Sequence, residues 1–266
     1  MSIKIENTEA IGWEHAIRGM RNPMNSWAGS DSGYCGGDNH IGCAHCHFAG
    51  DKEHNEKMIT TDFTYGYDIL PCGKKEFTGE YEIGHKDYEL MKNLCKAGTD
   101  HSKFMRMITV YCDITAPLYW WKEYDTYKIG TVSNSCSTMH KIAAKEFVLD
   151  DFSHEHLKDF NGFRDETTGE SETWFKAIMI EVIKKLNIAR KLFLQTGDKQ
   201  YWWQMIQLLP SSYNQRRTLM LNYAVLANIY KARKSHKLDE WREFCSWIET
   251  LPHSELITEV KKETKS

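Results

Sequence analysis

No stretch of this sequence holds the roughly 18 consecutive apolar residues that a membrane-spanning helix requires. The opening residues, MSIKIENTEA, lack the apolar core of a secretory signal, so nothing in them directs export and a cytoplasmic location is expected. An excess of charge of one sign is missing too: 34 Lys and Arg stand against 37 Asp and Glu, a formal net charge of -3. That balance excludes a generally basic nucleic-acid coat and counts against extensive contact with a phosphate backbone. It leaves room for a local basic pocket. There is no GxGxxG fingerprint, no phosphate loop and no GxSxG elbow of a hydrolase. No internal repeat is visible.

What is present can build a core. Hydrophobic residues make up 41% of the 266, with nine Trp and thirteen Tyr among them, which excludes disorder for most of the chain. The length allows one large domain or two small ones. Eight cysteines without a secretory signal read as thiols or metal ligands rather than a disulfide framework. Cys95, Cys112, Cys136 and Cys245 are scattered and are expected to be small core or pocket residues. The other four fall together.

Along the chain, GWEHAIRGMRNPMNSW opens as a short helical pattern that stops at Pro23. Residues 28–83 are dense in Gly, Asp, His and Cys, and no helical period persists there. HKDYELMKNLCKA predicts a helix over 85–97, with Leu90, Leu94 and Ala97 on one face and Gly98 as its stop. MITVYCDI (107–114), rich in β-branched and aromatic residues, predicts a strand bounded by Pro117. FNGFRDETTGES (160–171) reads as a polar loop. Long amphipathic helices follow over 174–197 and 201–210, and 214–248 reads as two more, NQRRTLMLNYAVLANIYKAR and LDEWREFCSWIE. The tail is expected to fray. A mixed first half and a helical second half argue for an α+β fold.

Three groups of residues could carry chemistry. Within thirteen residues stand Cys35, His40, Cys43, His45, Cys46 and His47, with Cys72 downstream. The pair in CAHC could offer two thiolates to one metal, and zinc takes four such ligands. The spacing is not that of a standard finger, so free thiols and a redox pair stand beside the metal reading. The second group, SNSCSTMH (133–140), holds Ser135, Cys136, Ser137 and His140; it suggests a nucleophile with a neighbouring His, or hydroxyls that bind backbone or a ligand. The third is NYAVLANIYKAR, where Asn222 and Asn228 sit in an apolar helical pattern at a cost in propensity. Such an Asn bonds a ligand or another chain, or is a satisfied core amide.

These segments, in this order and spacing, resemble the flavin-dependent thymidylate synthase family. Ala116-Pro117-Leu118-Tyr119 fits the family's strand end, and Asn134-Ser135-Cys136-Ser137-Thr138-Met139-His140 fits its Asn-Glu-x-Ser-x-Arg-Tyr loop. GTDHSKF (98–104) resembles a Gly-His-x-x-x-Phe stretch with His101 as the histidine, and AIRGMRNPMNSW (16–27) an Ala-x-Arg-x-x-Arg-x-Ser opening. LLPSSYNQRRTLMLNYAVLANIYKAR (208–233) follows a Leu-Pro, Asn, Asn, Leu-Arg pattern. The likeness spans about 16–27 and 84–248. Residues 28–83 are then an insertion in a single 1–266 domain.

The resemblance implies a twisted, mostly antiparallel sheet flanked by helices, a homotetramer, and FAD-dependent transfer of a methylene group from a folate, with a hydride, to C5 of dUMP. No enzyme nucleophile is required, so Ser137 would position substrate. Asn222, Asn228, His101 and Lys128 fall at positions implied to hold flavin. Arg233, Asn134, Ser135 and Ser137 fall at positions implied to hold the nucleotide. Ser137, Tyr127 and Glu123 fall at positions implied to be catalytic. The departures are specific: the family's Arg-His-Arg triplet aligns with Thr126-Tyr127-Lys128, its preceding Gln with Glu123, and its loop Glu and Arg with Ser135 and Met139. Fewer cations weaken the hold on a phosphate and a flavin pyrophosphate, although Lys122, Lys128, Arg216 and Arg217 could replace part of that charge.

Three readings follow. One is a divergent enzyme of this kind, acting on dUMP or a related pyrimidine nucleotide with bound flavin. A second is a non-catalytic interaction or regulatory protein that kept the fold and filled the flavin site with Tyr119, Trp120, Trp121 and Tyr127. The third is a metal-dependent binding module, with zinc on Cys35, Cys43, Cys46 and Cys72.

Overall fold

A computed structural model describes residues 3–34, 81–158 and 175–259. Their architecture is α+β: a four-stranded sheet, a two-stranded ribbon, and helices that outnumber the strands. The strands are β1 (Lys4–Ile11), β2 (Gly33–Tyr34), β3 (Tyr81–Glu82), β4 (Thr109–Pro117), β5 (Val132–Ser135) and β6 (Asn214–Asn222). In the larger sheet the order is β1-β4-β6-β5, and β2 pairs only with β3. Among the described residues the helices are α1 (Trp13–Arg21), α2 (His85–Ala97), α3 (Leu118–Tyr124), α4 (Thr138–Lys141), α5 (Phe175–Thr196), α6 (Lys199–Leu208), α7 (Tyr223–Arg233), α8 (Asp239–Glu249) and α9 (Glu255–Thr258). None is long and apolar enough to cross a membrane.

Several elements follow directly from local chemistry. α2 has the expected bounds, and Gly98 closes it in a left-handed conformation (φ +111°), its N–H donating to Cys95 O. Its buried stripe is Asp87, Met91 and Cys95 at i, i+4, i+8 rather than Leu90, Leu94 and Ala97, of which Ala97 is exposed. A buried carboxylate therefore displaced the apolar reading of the face. α5 ends at Gly197 (φ +67°), and α6 starts on Asp198, whose carboxylate accepts Gln200 N–H at 2.9 Å.

The stretch from Asn214 was expected to be helical and is not. Asn214–Asn222 is a strand, antiparallel to β5 with Asn134 opposite Thr218 and Ser135 opposite Arg217. Leu219 and Leu221 are buried while Arg216 and Thr218 are exposed, which is a period of two. The apolar residues of NQRRTLMLNYAVLANIY fit a helical spacing only when the strand half is read with the helix half. Asn222 is thus not inside a helix. Its Oδ1 accepts the Val225 N–H at 3.0 Å and caps the start of α7. β1 was also unanticipated: KIENTEAI is largely exposed and shows no apolar alternation, so only its pairing in the sheet makes it a strand.

The chain divides into two compact units. The first comprises Met1–Glu9, Tyr111–Met220 and Ala232–Trp247. One of its cores gathers Phe147, Phe152, Ile183, Leu186 and Met205 where α5 packs on α6. A second is aromatic: Trp120 lies 4.8 Å from Trp121, 4.9 Å from Trp241 and 5.3 Å from Tyr124, ring centre to ring centre.

The second unit comprises Ala10–Val110, Leu221–Lys231 and Ile248–Ser266. Gly12 (φ +91°) allows its backbone to approach Met107 so closely that a Cβ there would lie 2.2 Å from the Met107 carbonyl oxygen. Asp87, fully buried, accepts from Arg21 Nε (2.6 Å), Ser30 Oγ (2.6 Å), Ser32 Oγ (2.6 Å) and the Asp31 N–H (3.2 Å). Asp31 in turn caps α2 through the N–H groups of Lys86 and Asp87. The network ties residues 30–32 to the start of α2 across the β2–β3 ribbon.

Candidate functional site

The expected site residues of the first unit fall into two groups. The first is built on α3. Its opening N–H groups, on Leu118 and Tyr119, donate to Tyr213 O and Ser211 O at 3.0 Å each, so the helix starts where Ala116-Pro117 leaves the sheet. Trp120, Trp121 and Tyr124 turn inward and are buried, which leaves Glu123 on the partly open side. A turn follows, in which Tyr127 N–H donates to Tyr124 O at 2.9 Å, and it sets the Tyr127 ring 5.9 Å from Trp241.

Arg233 enters this corner from α7. Its Nη1 donates to Glu123 Oε2 at 2.9 Å and its Nε to the Tyr127 hydroxyl at 2.9 Å. The guanidinium lies over Trp241, 4.6 Å from the ring centre, and 5.7 Å from that of Tyr127. Trp241 Nε1 donates to the same Glu123 oxygen at 3.0 Å, and His236 Nε2 stands 3.8 Å from it. The structure thus brings Glu123, Tyr127 and Arg233 together, as one hydrogen-bonded cluster. Trp241 and His236 complete it and were not anticipated. Trp241 reads in sequence only as the apolar face of a helix, and 118 residues separate it from Glu123.

The second group is the 133–140 loop. Asn134 and Ser135 lie in β5 and are exposed. Cys136 N–H donates to Arg216 O at 2.9 Å, and Gln215 Nε2 reaches both Cys136 O and Thr138 Oγ1. Ser137 Oγ caps α4 by accepting the His140 N–H at 3.2 Å, and lies 2.8 Å from His140 Nδ1. The side chains of Asn134 and Ser135 form no hydrogen bond among the described residues.

Cations are present beside these groups but are largely engaged. Arg217 Nη1 pairs with Asp125 at 2.7 Å while its guanidinium lies 4.3 Å from the Trp121 ring centre. Arg216 pairs with Asp113 at 2.8 Å, and Asp113 also accepts from Thr218 Oγ1 and Asn7 Nδ2, which hold its carboxyl well below the usual carboxylate range. Lys122 and Lys128 are exposed and carry no ion pair among the described residues.

In the second unit, His101 is exposed in the turn after α2, its N–H donating to Gly98 O, and Asn228 is exposed on α7. Asn222, the α7 cap, keeps its amide nitrogen for other partners. Arg21, the second arginine of the opening motif, is spoken for by Asp87, Ser26 O and Gly29 O. Of the scattered cysteines, Cys95, Cys112 and Cys245 are buried, as expected, and Cys136 is exposed. Burial pushes the thiols of Cys95 and Cys112 up to about 12, which makes them inert. Cys35, Cys43, Cys46 and Cys72 lie outside the described residues, and among the described residues no His, Cys, Asp and Glu cluster could hold a metal.

No protein family matches the sequence, and no curated protein matches it. Solved structures do. The fold is similar to that of flavin-dependent thymidylate synthase ThyX from Helicobacter pylori complexed with FAD and dUMP, with a TM-score of 0.57 and 16% identity, covering 98% of this chain and 100% of that one. A second structure of ThyX from Helicobacter pylori with FAD and dUMP gives 0.56 and 15%, covering 99% and 100%. At such identities the likeness is one of fold. The described residues of this chain have a ThyX-like α+β architecture.

Proposed function

We propose that this protein is a flavin-dependent enzyme that transfers a one-carbon group to C5 of a pyrimidine deoxynucleotide such as dUMP. The observation that carries the reading is the cluster of Glu123, Tyr127 and Arg233 on a fold similar, from end to end, to synthases complexed with FAD and dUMP. In this reading the chain is one domain with 28–83 inserted, acts as a homotetramer in the cytoplasm, and draws its one-carbon unit from a folate. Arg233, Asn134, Ser135 and Ser137 hold the nucleotide, and the Ser137 hydroxyl orients it without forming a bond to it.

The residues expected to meet flavin are of a suitable kind. Asn228 and His101 are exposed and without a side-chain partner among the described residues, Asn222 retains its amide nitrogen, and Lys128 offers a cation to a pyrophosphate. A reduced flavin, when bound, supplies the hydride and relays the methylene group; the chain's own part is to bind, orient and neutralise. The test is the visible spectrum of protein purified from flavin-replete cells, followed by dUMP titration and release of the C5 hydrogen of dUMP with a folate donor and a reductant. Oxidised-flavin bands and turnover support the reading. A colourless protein that ignores added FAD removes it.

One observation favours a second reading, a non-catalytic protein on the same fold: Arg233 already engages Glu123, Tyr127 and Trp241, and Trp120 and Trp121 are core residues. Zinc on Cys35, Cys43, Cys46 and Cys72 remains a separate proposal. Elemental analysis of the purified protein tests it.

A further inference from the structure

We infer that Glu123 is an internal anion that occupies Arg233 and competes with any phosphate brought to that corner, so that this one side chain sets the affinity for nucleotides. The inference rests on the nucleotide reading above and refines it. A phosphate recognised by arginine takes two parallel N–H donors from the planar fork. Here one fork nitrogen, Nη1, donates to a carboxylate oxygen at 2.9 Å and Nε to a phenol at 2.9 Å, leaving Nη2 without a partner among the described residues. The carboxylate is itself held: Trp241 Nε1 donates to the same oxygen at 3.0 Å, and His236 lies 3.8 Å away. Glu123 therefore receives the contacts that a ligand oxygen would receive.

Two physical consequences follow. The Arg233 side chain is only 19% exposed, so its interaction with Glu123 is poorly screened and a bare charge there is costly. A phosphate approaching Nη2 also meets the negative charge of Glu123 within a few ångströms, a like-charge contact that weakens binding. Glu123 is 37% exposed, so a carboxylate displaced from the fork by a phosphate has solvent beside it. Strong nucleotide binding thus requires the carboxylate to leave. The neighbouring pairs, Arg217 with Asp125 and Arg216 with Asp113, are neutralised in the same manner and do not substitute for Arg233.

The experiment compares the full-length protein with Glu123→Gln, which keeps the shape and one acceptor oxygen but removes the charge. Calorimetric titration with dUMP and, separately, with inorganic phosphate is expected to show at least tenfold tighter binding of both by Glu123→Gln. The gain should disappear in Glu123→Gln combined with Arg233→Ala. Glu123→Ala removes the same charge and replaces the Gln variant if circular dichroism shows that the latter is unfolded. Equal affinity of parent and variant for dUMP overturns the inference and leaves the nucleotide reading standing. Tighter phosphate binding by the variant, with no dUMP binding by either protein, upholds the competition of Glu123 for Arg233 and removes the nucleotide reading. No gain for either probe overturns the inference.

Discussion

Replacing Asp87 by Ala should be among the most damaging single changes in the second unit. The carboxylate is fully buried and accepts four hydrogen bonds, from Arg21 Nε, Ser30 Oγ, Ser32 Oγ and the Asp31 N–H. Removing one partner of a buried ion pair leaves an uncompensated charge and costs about 3–5 kcal/mol. Arg21 would keep two carbonyl contacts, Ser26 O and Gly29 O at 3.0 Å each, which do not neutralise it. The two serine hydroxyls and one amide would be orphaned as well, placing the loss toward the upper end of that range. For chains of this size each kcal/mol shifts Tm by about 2–4 °C, so Asp87→Ala should melt roughly 8–20 °C below the parent. Asp87→Asn retains volume and one acceptor oxygen but removes the same charge, so it should recover only the part of the loss that belongs to shape and that one acceptor. Thermal melts by circular dichroism at neutral pH, with urea titration for the free energy, measure both. A loss below about 1 kcal/mol for Asp87→Ala, against the range expected for a buried pair, would refute the reasoning. Equal losses in the two variants would show that the lost charge, and not shape or the remaining acceptor, carries the effect.

Gly12→Ala should destabilise by about 1–3 kcal/mol, since a Cβ would meet the Met107 carbonyl oxygen and the backbone is left-handed; urea unfolding checks it. Asn222→Ala removes the acceptor for the Val225 N–H and should cost about 1 kcal/mol, whereas Asn222→Asp should cost little. His253 is packed between Trp13 and Tyr88, and burial holds its imidazole below its ordinary value of 6.5. The unfolded chain therefore binds the proton more readily, so the stability contributed by neutral His253 is present above pH 6.5 and is lost as pH falls through the lower folded value. In His253→Asn, which tolerates the positive φ of this position, the stability curve below pH 6.5 should be flatter than in the parent. An unchanged slope would show that His253 does not titrate on unfolding.

Helices 85–97 and 175–196 were legible because their causes are local: a period near 3.6 and a glycine stop. The strand expected over 107–114, found at Thr109–Pro117, was legible for a similar reason, since Val110, Cys112 and Ile114 are buried and alternate with more open neighbours. The α+β class followed from these. The stretch 214–222 misled because its apolar residues, read together with those of 223–230, satisfy a helical spacing, while its strand conformation depends on neighbours distant in sequence, β5 among them. The buried face of α2 misled in another way, because Asp87 is buried by Arg21, a partner 66 residues away. At the site, sequence could name Glu123, Tyr127 and Arg233 singly but could not assign their partners. Only the tertiary structure decided that the expected phosphate ligand Arg233 meets a carboxylate 110 residues away and stacks on Trp241. Pairing of charges across such separations is fixed by how the elements pack, and packing energy leaves no periodic trace in the chain.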